Sequence, residues 1–171
     1  AFPAGPLGPQ REEVARRLAE VAPDAYVSAY AYARYLHAPV DLKIEPNILV
    51  GLIGFDDYPM TPESRRQELD ALQAWRDAGA KALFHRPNSF YFSIAHGVPW
   101  DATTQMAEDF KTLVEGGIVA TDFDRLNGHW STAPRTYYVL ARLHWDTRAD
   151  VEELKREFAA GFGPAADAVN R

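Results

Sequence analysis

Hydrophobic positions along the chain fall into two alternating rhythms. Four short apolar runs have strand character: AYVSAYAY (Ala25 to Tyr32), NILVGLIGF (Asn47 to Phe55), AKALFHR (Ala80 to Arg86) and GIVATDF (Gly117 to Phe123). Between most of them lie stretches with helical spacing. Gln10 to Val21 places Val14, Leu18 and Val21 on one face and Arg and Glu residues on the other. Thr61-Pro62-Glu63 predicts a helix start, with Thr as N-cap, Pro in the first turn and an acid beside it. Leu69, Leu72 and Trp75 continue that helix, and Gly79 suits its C-terminal exit. Asp101 is placed to cap a third helix whose apolar face is Met106, Phe110, Leu113 and Val114, ending at Gly116-Gly117. Two further helices are predicted, from Pro134 to about His144 and from Asp150, where Asp150 and Glu153 have capping-box spacing. Val151, Leu154 and Phe158 form the stripe of the last one, and Gly161 and Gly163 break it. Trp75 and Trp145 are both expected in the core. Ala33 to Pro46 holds two prolines and no helical period, so loop or a short turn is expected there.

Four strand runs, most of them alternating with helical segments, are the pattern of half a (β/α)8 barrel. The fold class is therefore α/β, with about four parallel strands and their helices. Strands in such sheets are buried on both faces, and Asn47 to Phe55 has the near-continuous apolar run this requires. The active-site rim of such a barrel lies at the C-terminal ends of the strands.

Length sharpens this picture. The chain has 171 residues, and a complete barrel takes roughly 250. It also opens on Ala1, so it is expected to be an excerpt of a longer protein, residues 1–171 forming one partial barrel domain with 1–9 as loop or linker. The expected partner for packing is the N-terminal half of the same barrel. Hydrophobic residues make up 47% of the chain, enough for a substantial core. Net charge is −6 without a basic stripe, which argues against nucleic-acid binding. No run approaches the roughly 18 apolar residues of a membrane span. The absence of cysteine removes disulfide and thiolate chemistry.

In such a barrel the chemistry belongs at the strand ends. Glycoside hydrolysis uses two carboxylates across the scissile bond. The carboxylates at strand ends here are Asp56, Asp57, Asp122 and Asp124. Asp56 and Asp57 are adjacent and diverge, so one at most faces the barrel mouth. Asp122 and Asp124 flank Phe123, and alternation puts them on one face. Their alternatives are a turn or cap before Pro59 for the first pair and a salt bridge to Arg125 or Arg86 for the second. Asp56 and Asp122 are the candidate catalytic carboxylates. Asp57 and Asp124 are candidate substrate contacts, as are Tyr30 and Tyr32, His85, Arg86 and Asn88. Arg86 can fork onto a carboxylate or an acidic sugar, and His85 can exchange a proton near neutral pH. Trp100, His129 and Trp130 lie in long polar and aromatic loops, where sugar stacking and loop anchoring are both open. His85, His96, His129 and Asp122 lack metal-site spacing, and no phosphate loop or nucleophile elbow is present, so neither metal nor cofactor is expected.

The final third carries a recognisable pattern. Tyr138, Leu140, Ala141, Arg142, Leu143, Trp145 and Asp146 fit Y-x-L-A-[RK]-L-x-W-[DN]. Asp150, Val151, Leu154, Glu157, Phe158, Gly163, Ala165 and Ala166 fit the segment that follows. Upstream, REEVARRLAEVAPDAYVSAYAYARYLHAP fits as well. On these residues the chain resembles the bacterial family known as domain of unknown function 4838, a group similar to glycoside hydrolase barrels and, in one branch, to glycoside hydrolase family 163. The resemblance implies a carbohydrate substrate, endo-β-N-acetylglucosaminidase-type action on a complex glycan, a retaining mechanism with substrate assistance as a variant, and a secreted or periplasmic address. It also implies that the catalytic pair proper belongs to the N-terminal half, so that this chain alone is expected to be inactive. A non-catalytic carbohydrate-binding barrel and a metal-dependent hydrolase are the alternatives.

Overall fold

The computed structural model describes residues 9–40, 43–54, 60–89, 101–124 and 132–170. They form two compact units. The first holds the described residues up to Ser89 together with Gly116–Asp124; the second holds 101–115 and 132–170.

The first unit is a four-stranded parallel sheet with two helices and a single turn of 3-10 helix. In chain order it contains α1 (Pro9–Val21), β1 (Val27–Ala31), the 3-10 turn Ala33–Tyr35, β2 (Ile48–Leu52), α2 (Pro62–Asp77), β3 (Ala82–His85) and β4 (Ala120–Thr121). The strands lie side by side in the order β1-β2-β3-β4, and every pair is parallel. Sequential parallel order of this kind is that of half a (β/α)8 barrel. Each strand is shorter than the apolar run that predicts it, although backbone hydrogen bonds such as Asp122 N–H to the His85 carbonyl continue past the strand ends.

Register fixes which side chains share a face. Tyr30, Gly51, Phe84 and Ala120 stand on one rung, and Ala31, Leu52, His85 and Thr121 on the next. Successive side chains alternate, so the two rungs face opposite ways. One face is apolar and buried: Ala29, Ala31, Ile48, Val50, Leu52 and Leu83. The other carries Tyr30, Phe84 and, past the strand ends, Arg86 and Asp122.

The helices of this unit begin and end for local reasons. Thr61 caps α2, its side chain accepting the Ser64 amide at 3.1 Å, and Pro62 occupies the first turn. Gly79 takes φ +107° just past the end, a conformation that only glycine adopts cheaply. Leu72 and Trp75 are the buried stripe of α2, and the Trp75 indole donates to the Leu36 carbonyl at 2.7 Å. In α1 the buried side is centred on Ala15, and Val14 and Val21 are exposed. That departs from the expected Val14-Leu18-Val21 face. The cause is the segment before β2: the Asn47 amide donates to the Ala15 carbonyl, and the Glu45 amide to the Glu12 carboxylate, so the chain docks on that side of the helix.

The second unit is helical: α3 (Thr103–Glu115), α4 (Pro134–Trp145), α5 (Val151–Ala160), a 3-10 turn at Gly163–Ala165 and the short α6 (Ala166–Val169). α3 packs on α4, and α4 on α5. Met106, Phe110 and Leu113 of α3 are buried, as are Val139, Leu140 and Leu143 of α4 and Leu154 of α5. The Asp101 carboxylate accepts the Thr103 amide and hydroxyl at the start of α3, and Thr103 and Thr136 pair hydroxyls at 2.9 Å. Asp150 caps α5 through the Glu153 amide at 2.7 Å. Trp145 corrects an expectation: it is 92% exposed. It stands two residues past Leu143, roughly 200° around the helix from the buried stripe. No helix among the described residues is long and apolar enough to cross a membrane.

Candidate functional site

At the C-terminal edge of the sheet, five of the sequence-predicted residues form one polar group. Tyr30 comes from β1, Arg86 and Asn88 follow β3, and Asp122 and Asp124 follow β4. The Tyr30 hydroxyl donates to Asp122 Oδ2 at 3.0 Å. The Arg86 guanidinium lies 3.7 Å from the same oxygen through Nε and 3.4 Å from Asp124 Oδ1 through Nη2. Its Nη1 donates to Asn88 Oδ1 at 2.5 Å. The guanidinium carbon also sits 5.3 Å from the Tyr30 ring centre, within cation–π range. Arg86 thus serves four partners drawn from three strands.

A glycine makes this convergence possible. β2 lies between β1 and β3, and a side chain on the rung that it shares with Tyr30 and Phe84 would separate the two. At Gly51 there is none. The Phe84 ring fills the space, its Cζ only 2.3 Å from where a Cβ would stand. Phe84 then meets Tyr30 edge to face, with ring centres 5.8 Å apart. Tyr30 is held at its ring by Phe84 and at its hydroxyl by Asp122. Partial burial, followed by the hydrogen bond to Asp122 and that group's charge, pushes the Tyr30 phenol above 10.0, outweighing the nearby Arg86. Tyr30 therefore keeps its proton and donates a hydrogen bond to Asp122 throughout the neutral range.

Exposure separates the members. Arg86 is 20% exposed as a side chain, and Asp122 is 53% exposed. The cation is the partly buried hub, and the carboxylate is open to solvent. Formally one positive charge faces two negative ones. An ionised carboxylate has about four acceptor positions, so Asp122 can take further donors while Tyr30 and Arg86 orient it.

His85 is separated from this group. It alternates with Arg86 and turns to the buried face, where it is 6% exposed. Its Nε2 lies 3.3 Å from the Gly54 carbonyl. A carbonyl only accepts, so that nitrogen carries the proton. Its ring also meets Phe123 at 6.0 Å. Tyr32 shares a face with Tyr30 but lies apart from the Arg86 group, on the wall of a pocket of about 340 Å³. That pocket brings in Glu68 and Gln67 of α2, which sequence reasoning passed over because α2 is helical and its polar residues look like a solvated face. The one clue was Gly54, the small residue against which Glu68 rests.

Asp56, Asp57, Trp100, His129 and Trp130 lie outside the described residues. Among those described, no group of three or more His, Asp and Glu side chains is arranged to hold a metal ion.

Residues 10–171 match the family model described as Domain of unknown function (DUF4838). No curated protein and no solved structure matches the chain.

Proposed function

The chain belongs to the Domain of unknown function (DUF4838) family, and on that premise we propose that it forms a substrate-binding wall of a glycoside hydrolase-type barrel acting on a complex glycan. The observation that carries this is the Arg86 hub, which gathers Tyr30, Asn88, Asp122 and Asp124 at the strand C-termini. Parallel α/β sheets bind their ligands at that edge. Fold position alone would not choose sugar. The side chains add to it. A sugar hydroxyl both donates and accepts, and its ring offers C–H faces. Asp122 supplies an exposed acceptor, Arg86 supplies donors, the buried Asn88 holds Arg86 in place, and Tyr30 supplies a half-exposed aromatic face. The family resemblance points the same way, to N-acetylglucosamine-containing glycans.

The role assigned to this cluster is binding. Asp122 is already oriented by a phenol and a guanidinium, an arrangement that suits a fixed acceptor better than a group that must release and recapture a proton. The proton-transferring carboxylates are assigned elsewhere in the active protein.

Binding of N-acetylglucosamine oligosaccharides, followed by calorimetry or by NMR shifts of the tyrosine rings, tests the proposal. Wild type should bind, and Arg86→Ala should weaken binding at least about tenfold, the value of one hydrogen bond to a charged group. No affinity for any member of a panel of N-glycans and their fragments would overturn it. Binding without turnover in the complete protein would select the non-catalytic carbohydrate-binding reading, and turnover abolished by a chelator the metal-dependent one.

A further inference from the structure

Sequence alone offers Arg86 as a fork for an acidic sugar, but in the structure that fork is taken. Each of the three guanidinium nitrogens has a partner: Nη1 donates to Asn88 Oδ1 at 2.5 Å, Nη2 lies 3.4 Å from Asp124 Oδ1, and Nε lies 3.7 Å from Asp122 Oδ2. Nε is closed to solvent. The Tyr30 ring covers one face, its centre 5.3 Å from the guanidinium carbon. A bidentate grip on a carboxylate needs two parallel N–H groups on one free edge. The edge that carries Nε and Nη2 already meets the two aspartates. A guanidinium has five N–H groups, so those left over can still serve single hydroxyls.

The two carboxylates are each used through one oxygen. Both partners of Asp122, the Tyr30 hydroxyl and Arg86 Nε, meet Oδ2, so Oδ1 has no partner among the described residues. Asp124 meets Arg86 through Oδ1, and its Oδ2 has none among them either. Tyr30 and Arg86 hold Asp122 in place, so its free oxygen is an oriented acceptor. Among the described residues the hub sets two negative charges against one positive. The positive one is also the less accessible: 20% exposed, against 53% for Asp122 and 29% for Asp124.

We propose that the Arg86 hub selects its sugar by charge, with Asp122 and Asp124 as the specificity-determining residues. An amino sugar with a free, charged nitrogen is held best, a neutral sugar less well, and an acidic sugar is rejected. This rests on the proposed function and names the substrate class of that same site. An ammonium brings three N–H donors and no acceptor, which matches two carboxylate oxygens without partners. Both aspartates meet one guanidinium, so a single sugar ring can reach both. A neutral sugar offers hydroxyl donors to the same oxygens without the charge. A sugar carboxylate brings acceptors only, and Arg86 could grip it only by releasing Asp122 and Asp124. Those two would then stand unpaired beside a third negative charge.

The test uses three disaccharides that differ in charge: the β-1,4-linked N-acetylglucosamine disaccharide, its deacetylated form, and a disaccharide of glucuronic acid and N-acetylglucosamine. Affinities come from NMR shifts of the tyrosine rings at low salt, at a pH where the free amines are charged. Wild type should hold the deacetylated form at least about fivefold more tightly than the neutral one, and the acidic one at least about fivefold more weakly, the value of one exposed ion pair. Added salt should narrow both gaps. Asp122→Asn and Asp124→Asn keep the shape and free one edge of Arg86, so each should strengthen binding of the acidic disaccharide about fivefold and weaken the deacetylated one. Glu20→Gln removes the same charge at the end of α1, which leads into the opposite edge of the sheet, and should leave the order intact. Melting curves confirm that each variant folds, and either aspartate variant alone suffices. Equal affinities in wild type, an order that survives in the aspartate variants, or one lost in Glu20→Gln would overturn selection by charge. If Arg86→Ala still weakened the neutral disaccharide in that case, the binding wall itself would stand. No binding of any of the three would overturn selection by charge, and the N-glycan panel would then decide on the wall.

Discussion

Replacing Gly51 with alanine should destabilise the sheet, although alanine is normally the better strand residue. Two terms compete. Removing glycine's extra backbone freedom favours the variant by about 0.5–1 kcal/mol. Against it stands overlap: the new methyl would lie 2.3 Å from Phe84 Cζ and 2.7 Å from both Cε atoms. Those are ring atoms of a side chain that is 6% exposed, so the ring must tilt or the strands must part. Overpacking of a tight core costs about 1–3 kcal/mol. The net expectation is a loss of about 1–2 kcal/mol, seen as a fall in Tm of roughly 2–8 °C for a chain of this size. Thermal melts followed by circular dichroism would measure it. Phe84→Leu shortens the obstructing side chain, so the Gly51→Ala/Phe84→Leu pair should be less damaging than the sum of the singles by at least about 0.5 kcal/mol. The same overlap pushes Phe84 against Tyr30, so Gly51→Ala should also weaken glycan binding. A Gly51→Ala protein as stable as wild type, or strictly additive singles, would refute the claim that Phe84 lies over Gly51 and bridges to Tyr30.

Other predictions follow from the same geometry. Ala33→Gly should raise stability by about 0.5 kcal/mol in urea melts, because relief of the left-handed strain at Ala33, φ +50°, exceeds the added freedom of the unfolded chain. Asp101→Ala should cost about 1–2 kcal/mol, since its carboxylate accepts the Thr103 amide and hydroxyl and pairs with Arg135. Burial raises the Asp101 carboxyl, but those hydrogen bonds and Arg135 outweigh it and hold the group below 3.8. The wild-type advantage should therefore be complete above that pH and vanish as pH falls through the depressed value, as melts across acid pH would show. Burial pushes the Tyr137 phenol up to about 12, so ultraviolet titration should show one tyrosine ionising late, and Tyr137→Phe should remove that phase. The stabilisation linked to this shift is intact below about pH 10 and lost as pH rises toward 12.

What the sequence determined by itself is whatever depends on neighbours a few residues away. Thr61-Pro62 and Asp150 start helices because the groups they satisfy lie within one turn. Gly79 ends one because its backbone must pass through a positive φ. The apolar runs gave four strands, and the period-two rule put Asp122 and Asp124 together and Tyr30 with Tyr32. The tertiary structure decided which strand ends meet. Tyr30 and Asp122 are 92 residues apart, and only the order β1-β2-β3-β4, with a glycine of β2 between Tyr30 and Phe84, joins them through Phe84 and Arg86. It gave His85, which strand alternation already turns away from Arg86, the Gly54 carbonyl as its partner. It buried Ala15 and left Val14 and Val21 exposed, because the segment before β2 docks on one side of α1. It left Trp145 exposed although its motif reads as apolar, since helix phase sets burial. It also carried Glu68, an ordinary helical acid in the sequence, to the edge of a pocket. Local chemistry fixes φ, ψ and periodicity. Contacts between distant residues depend on register and on the space a missing side chain leaves, and neither is written in any short stretch of chain.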